Sequence, residues 1–259
     1  MKKHLLLMAA AAAFVFVACN NKPTPDNPDT PDNPDPEEPE YVSPITIDGS
    51  FDDWAKLDAS KVKVAKSDPN SPWDAVNEIR VYADEMYVFY YLEYNNSKIA
   101  EVLAASNDPS DPEHNELPIR LNINTDGEFT SGYLNYSLDG YDFIVEGGVA
   151  TNGEWSNFDG NLYQRIDGSW GDPILDAGSG MCSGAGSGNH YEIQLIKEVF
   201  NSAASATSVP MPMGDVFHTG VRFYTAPWGE LGNMPDAAVT DDNAKGWGHL
   251  LEIHSYIPE

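Results

Sequence analysis

The sequence predicts an all-β protein, a β-sandwich of two antiparallel sheets with one or two short helices. Two observations carry this. Ten short runs rich in β-branched and aromatic residues follow one another along the chain, many with period-two alternation. Turn pairs punctuate them: Asp48-Gly49, Asp84-Glu85, Asp126-Gly127, Asp139-Gly140, Asn152-Gly153 and Asp167-Gly168. Many short strands with Gly and Asp turns and little helix are the pattern of a sandwich or barrel.

In chain order the predicted strands are 45–47 (ITI), 61–65 (KVKVA), 78–83 (EIRVYA), 86–94 (MYVFYYLEY) and 118–124 (PIRLNIN). They continue at 141–147 (YDFIVEG), 162–166 (LYQRI), 190–196 (HYEIQLI), 220–226 (GVRFYTA) and 249–254 (HLLEIH). Helical spacing is confined to 97–106 (SKIAEVLAAS) and 196–205 (IKEVFNSAAS). Along 86–94, Val88, Tyr90 and Leu92 point one way and Tyr87, Phe89 and Tyr91 the other. Both faces are apolar, so this strand is central, with its second face covered by loops or open to a ligand. The glycine-rich stretch 179–188 (SGMCSGAGSG) reads as a flexible loop.

The N-terminus predicts export. Lys2 and Lys3 precede an uncharged apolar run, Leu5 to Val17, that is shorter than the roughly 20 residues of a membrane-spanning helix. Residues 1–18 therefore read as a secretory signal peptide. The segment FVFVAC places small Ala18 before Cys19 and resembles a lipobox, which makes Cys19 the expected lipid attachment site. From Asn20 to Glu40 proline recurs every second or third residue, with Asp, Asn, Thr or Glu between and no aliphatic residue. Such a segment cannot bury enough apolar surface to offset its ordering entropy. Residues 19–41 thus read as a lipidated cysteine and a disordered tether, able to span on the order of 60 Å in polyproline II. Its composition resembles the tethers of Bacteroidetes outer-membrane lipoproteins, which implies surface display, or a place on the periplasmic face. Residues 42–259 are expected to form one sandwich domain.

Charge narrows the partners. The formal net charge is −27 with 14 Lys plus Arg, which excludes nucleic acid and opposes adsorption to anionic lipid heads. Seven acids lie in the tether (Asp26, Asp29, Asp32, Asp35, Glu37, Glu38 and Glu40), and the domain stays acidic without them. Once Cys19 is lipidated, Cys182 is the remaining cysteine, so stability must come from the core.

Residues 45–54 (ITIDGSFDDW) resemble the opening of carbohydrate-binding module family 9 and its relatives in the DOMON superfamily. The stretches AVNEIRVYADEMYVFYYLEY, IRLNINTDGEFTSGY, YEIQLIKEVF and GWGHLLEI are similar to further motifs of that family, in its order. The resemblance implies a sandwich of two antiparallel sheets. Sugar binders of the family clamp the ligand between two tryptophans, and this chain does not reproduce the clamp. SDPEHNELPIRLNIN lacks the first aromatic, while Trp228 and Trp247 do not occupy the second position. Trp54 is expected to bury its ring at one end of the sandwich. Relatives that hold haem would imply an axial pair such as Met211 or Met213 with His190.

Read from the residues alone, a glycan site needs exposed aromatic faces flanked by hydrogen-bonding groups. Trp73, Trp155, Trp170 and Trp228 stand in Gly- and Pro-rich surroundings, where loop packing and ligand contact are both open. Trp170 and Trp228 make the preferred pair, with Trp73 beside them. Arg120 and Arg222 are candidate hydroxyl donors, and pairing with acidic neighbours is their alternative use. Asp126, Asp139 and Asp142 are candidate ligands of a structural calcium; the series Asn122, Asn124, Asp126 starts like a calcium loop, but its twelfth position is Tyr133 rather than Glu. No P-loop or nucleophile elbow is present, and the histidines show no zinc spacing except His249 and His254, which lie on a predicted strand, so the expectation is a non-catalytic module. A glycosidase carboxylate pair stays open. The reading that results is a membrane-anchored glycan-binding module. Its alternatives are a structural or protein-interaction lipoprotein within a surface complex, or a haem-binding sandwich.

Overall fold

Twelve strands form two antiparallel sheets in the computed structural model, which describes residues 41–68, 74–107, 115–132, 140–166, 171–226, 228–236 and 250–256. The smaller sheet has the order β1 (Lys63–Lys66), β2 (Val76–Ala83), β3 (Tyr87–Tyr94), β9 (His190–Ile196), β8 (Cys182–Ser187). The larger has the order β11 (Gly229–Met234), β10 (Val216–Thr225), β4 (Glu116–Asn124), β5 (Phe143–Thr151), β6 (Glu154–Trp155). Two short strands complete it: β12 (Leu251–His254) pairs β10 and β7 (Asn161–Gln164) pairs β5. The expected all-β sandwich is the observed fold. Its helices are a 3-10 turn at Phe51–Lys56, α1 (Ile99–Ala104) and α2 (Lys197–Ser205).

Period-two alternation sorts the side chains into layers. Ile119, Leu121 and Ile123 of β4, Val145 of β5 and Val221 and Phe223 of β10 meet Val88, Tyr90 and Leu92 of β3 and Ile193 and Leu195 of β9 in one buried cluster. The Tyr90 hydroxyl lies 2.9 Å from Thr219 Oγ1, the polar link across this core. The other face of β3 carries Tyr87, Phe89 and Tyr91, and the chain's first described residues cover it with Ile45, Ile47, Phe51, Trp54 and Leu57. Of the two uses open to that face, cover by a loop is the one observed.

Two sequence expectations are corrected. Residues 45–47 form no strand; Thr46 and, just past the run, Asp48 and Gly49 give their backbone N–H groups to carboxylates. Thr46 N–H goes to Asp53 at 3.2 Å, and Asp48 and Gly49 N–H both go to Glu192 at 3.0 Å. Residues 182–187 form edge strand β8 rather than a flexible loop. Their glycines make room for aromatic rings: a Cβ on Gly184 would sit 2.7 Å from the Tyr191 hydroxyl, and one on Gly186 would sit 2.6 Å from the Trp155 ring.

Candidate functional site

The outer face of the larger sheet carries a row of paired charges. Register sets Arg120 of β4 opposite Arg222 of β10 on one side and Glu146 of β5 on the other. Like charges directly opposite in a sheet repel, and each arginine is held by its own carboxylate. Arg120 Nε donates to Glu146 at 2.6 Å, and Arg222 Nη2 donates to Glu230 at 2.6 Å.

Arg120 also holds two aromatic rings. Its guanidinium lies 5.0 Å from the Tyr224 ring centre and 4.9 Å from that of Trp228, within cation–π range. Its Nη1 donates to the Tyr224 hydroxyl at 3.3 Å. The two rings meet edge to face, 5.4 Å apart at 69°. Burial pushes the Tyr224 hydroxyl up from its ordinary pKa, with the neighbouring arginines opposing.

Trp228 has an unusual backbone. Thr225 and Gly229 form the last pair of the β10–β11 hairpin, which leaves a three-residue connection. Such connections place one residue in the left-handed region, ordinarily a glycine. Here Trp228 sits at φ +73, with its N–H bonded to Thr225 O at 2.6 Å. A bulky side chain at positive φ is an outlier that costs energy and tends to mark ligand clamps and functional loops. The residue is 43% exposed.

That ring borders a groove of about 420 Å³, within the range of small-ligand sites. Gly147 and Gly148, where β5 passes a bulge against Leu117 and Pro118 of β4, are among its lining residues. Glycine inside a strand marks close approach by a ligand or another chain segment. Here the approaching segments are the chain's own: a Cβ on Gly147 would lie 3.0 Å from Asp159 O, and one on Gly148 would lie 3.0 Å from Glu116 Oε2. The walls bring Glu116, Glu146, Asp159, Asn157 and Asn161 together with Trp228. Asn157 and Asn161 are oriented by backbone donors, accepting Gly184 N–H at 3.1 Å and Ala177 N–H at 2.8 Å. The arrangement offers one flat aromatic face and several acceptors around one groove.

Of the residues singled out in sequence, Trp228 lines this groove and Arg120 braces its ring from outside the lining. Arg222 does not serve as a hydroxyl donor: it is buried at 6% exposure and committed to Glu230. Its alternative use is the observed one, and Arg120 likewise pairs with Glu146. Trp73, Trp170 and Asp139 lie outside the described residues, as does Cys19. Trp155 is a packing residue on Tyr94 and Tyr191, with its indole N–H donating to Gly188 O at 3.1 Å. Met213 lies in the inter-sheet core with Met211 packed against it, while His190 stacks on Tyr91 on the smaller sheet's outer face. A sheet separates them, so they form no axial pair for haem.

The candidate calcium residues have other duties. Asp142 Oδ2 accepts Thr125 N–H, Thr125 Oγ1–H and Asp126 N–H at 2.6, 3.1 and 3.2 Å. Burial pushes its carboxyl up to about 6. Asp126 Oδ1 accepts Glu128 N–H at 2.7 Å. Among the described residues no three His, Cys, Asp or Glu side chains converge as a metal site.

The groove residues Glu116, Glu146, Gly147, Gly148, Asn157, Asp159 and Asn161 were not singled out in sequence. The available signal was Gly147 at the end of the predicted strand 141–147, with Gly148 directly after it. The sequence matches no family model and no curated protein. Among the described residues no helix is long and apolar enough to cross a membrane.

Proposed function

We propose that the protein is a non-catalytic glycan-binding module, held at the outer surface of a bacterial cell by a lipid on Cys19. The observation that carries the reading is Trp228. Its ring is kept exposed at φ +73, braced by Arg120 and Tyr224, beside a groove lined with acceptors. A sugar ring has an apolar face that stacks on an indole and hydroxyls that donate to carboxylates and amides. The motif series similar to carbohydrate-binding module family 9 points the same way, with a single tryptophan and braced carboxylates in place of the two-tryptophan clamp. The lipobox-like Cys19 and the proline-acid tether suit a domain that must reach polymer beyond the membrane surface.

Affinity electrophoresis against a panel of polysaccharides, with wild type and Trp228→Ala side by side, tests this. Retardation by at least one polymer, lost in the variant, supports the module. No retardation on any polymer favours a purely structural or protein-interaction lipoprotein. Globomycin treatment, which blocks lipoprotein signal cleavage, and a Cys19→Ser variant test the anchor through loss of membrane association.

A further inference from the structure

The groove's charge is unbalanced in a way that a neutral sugar would not require. Its described lining holds three carboxylates, Glu116, Glu146 and Asp159, and no Lys, Arg or His. Arg120 matches one of them, Glu146, at 2.6 Å. Neither Glu116 nor Asp159 has a cationic partner among the described residues.

The two unmatched carboxylates are placed by the fold. Asp159 Oδ2 is fixed by Gly178 N–H at 2.8 Å, while Oδ1 is a buried acceptor with no donor. Glu116 lies over Gly148, its Oε2 3.0 Å from where a Cβ would stand, so the missing side chain makes room for this carboxylate. Both carboxylates line the groove, so a ligand seated there can donate to their accessible oxygens. Trp228 adds a π-face, and this ring already accepts one cation, the Arg120 guanidinium at 4.9 Å.

Resting on the glycan reading above, we propose that the Trp228 groove selects glycans whose sugars carry protonated amines. Glu116 and Asp159 receive the ammonium hydrogens in charge-assisted bonds, and the indole face takes the sugar ring beside them. Anionic polymers such as polyuronates are excluded by the same carboxylates and by the net charge of −27.

The experiment is isothermal titration of the full-length protein in detergent at mildly acidic pH, with tetrasaccharides of matched length. The arms are a glucosamine oligomer, its fully N-acetylated form, a neutral β-glucan oligomer, an oligogalacturonate and tetralysine. Runs at physiological and at high salt separate site binding from adsorption onto an acidic chain. The glucosamine oligomer is expected to bind at least about tenfold tighter than its acetylated form, as charge-assisted bonds replace neutral ones. Asp159→Asn, which keeps the oxygen that accepts Gly178 N–H, and Trp228→Ala are each expected to weaken it about tenfold, with unchanged circular dichroism.

If acetylated or neutral oligomers bind as well and depend on Trp228, the amine preference is wrong and the glycan reading stands. No binding by any saccharide removes both. Glucosamine binding that survives both substitutions overturns the proposal in favour of bulk charge. Tetralysine binding with the same dependence on Asp159 and Trp228 overturns it in favour of a basic peptide.

Discussion

Trp54 donates its indole N–H to Glu192 across 3.3 Å of buried space, joining the first described segment to the middle of the smaller sheet. The same carboxylate accepts Asp48 and Gly49 N–H at 3.0 Å each. Glu192 is fully buried, and burial pushes its carboxyl up while these three donors oppose the shift. This geometry explains why an Asp-Gly turn, with Gly49 at φ +78, comes five residues before a tryptophan. Turn and ring together wrap one anion and lay Ile45 and Phe51 over β3.

Glu192→Ala is therefore expected to cost about 3 kcal/mol in urea unfolding, because one buried and two part-buried donors lose their acceptor. Glu192→Gln, which keeps one oxygen, costs less. Trp54→Phe removes one bond to the carboxylate and is expected to cost about 2 kcal/mol. A double-mutant cycle between Trp54 and Glu192 should show coupling, since the two are in contact.

The contribution of Asp142 to stability should fall as pH rises from mildly acidic values. Asp142 has a folded pKa of about 6 against an ordinary value of 3.8, so the folded state holds its proton more tightly than the unfolded chain. Its contribution is full below about pH 4 and is lost as pH rises through about 6, on the order of 3 kcal/mol in all. Glu192 is shifted in the same direction. Thermal melts of Asp142→Asn across that window should show a flatter profile than wild type.

Glycines in β8 make a steric prediction. Gly186→Ala sets a Cβ 2.6 Å from both the Trp155 and Tyr191 rings, and Gly184→Ala is similarly crowded by Tyr191 and Phe158. Each is expected to destabilise by about 1–3 kcal/mol through overpacking. Gly188→Ala meets nothing within 4 Å, but its φ of +59 keeps a smaller backbone cost.

Burial pushes the Cys182 thiol up to about 12. In a Cys19→Ser background, Ellman's reagent should leave the folded protein unmodified and label one thiol per chain in denaturant.

How much of this was legible in the sequence differs by layer. Strand 86–94 displayed both of its apolar faces, and helix 196–205 displayed its period, because each signal is local. Strand β8 was hidden, since its glycines answer to Tyr191, Trp155 and Phe158, which the rest of the fold brings to them. Residues 45–47 have a strand's composition, but the donors of residues 46, 48 and 49 are captured by Asp53 and Glu192, one of them 144 positions away from Asp48. At the site, Trp228 and Arg120 could be singled out by type. Their meeting, and the use of Arg222 on Glu230, depend on the β4–β10 register, which no local pattern encodes. The positive φ of Trp228 was likewise invisible, because Pro-Trp-Gly does not reveal which residue takes the left-handed position.

That φ gives the most direct measurement. Trp228→Gly relieves a backbone strain of about 1–2 kcal/mol and forfeits cation–π contacts of about 0.5–1 kcal/mol, so the fold should be as stable as wild type. Trp228→Ala keeps the strained backbone and loses the ring, and should melt lower. If the ring is kept for a ligand, Trp228→Gly retains its melting temperature and loses retardation by the polysaccharide that wild type binds. A Trp228→Gly protein that binds that polysaccharide as wild type does, or a wild type that no polysaccharide retards, would contradict the account.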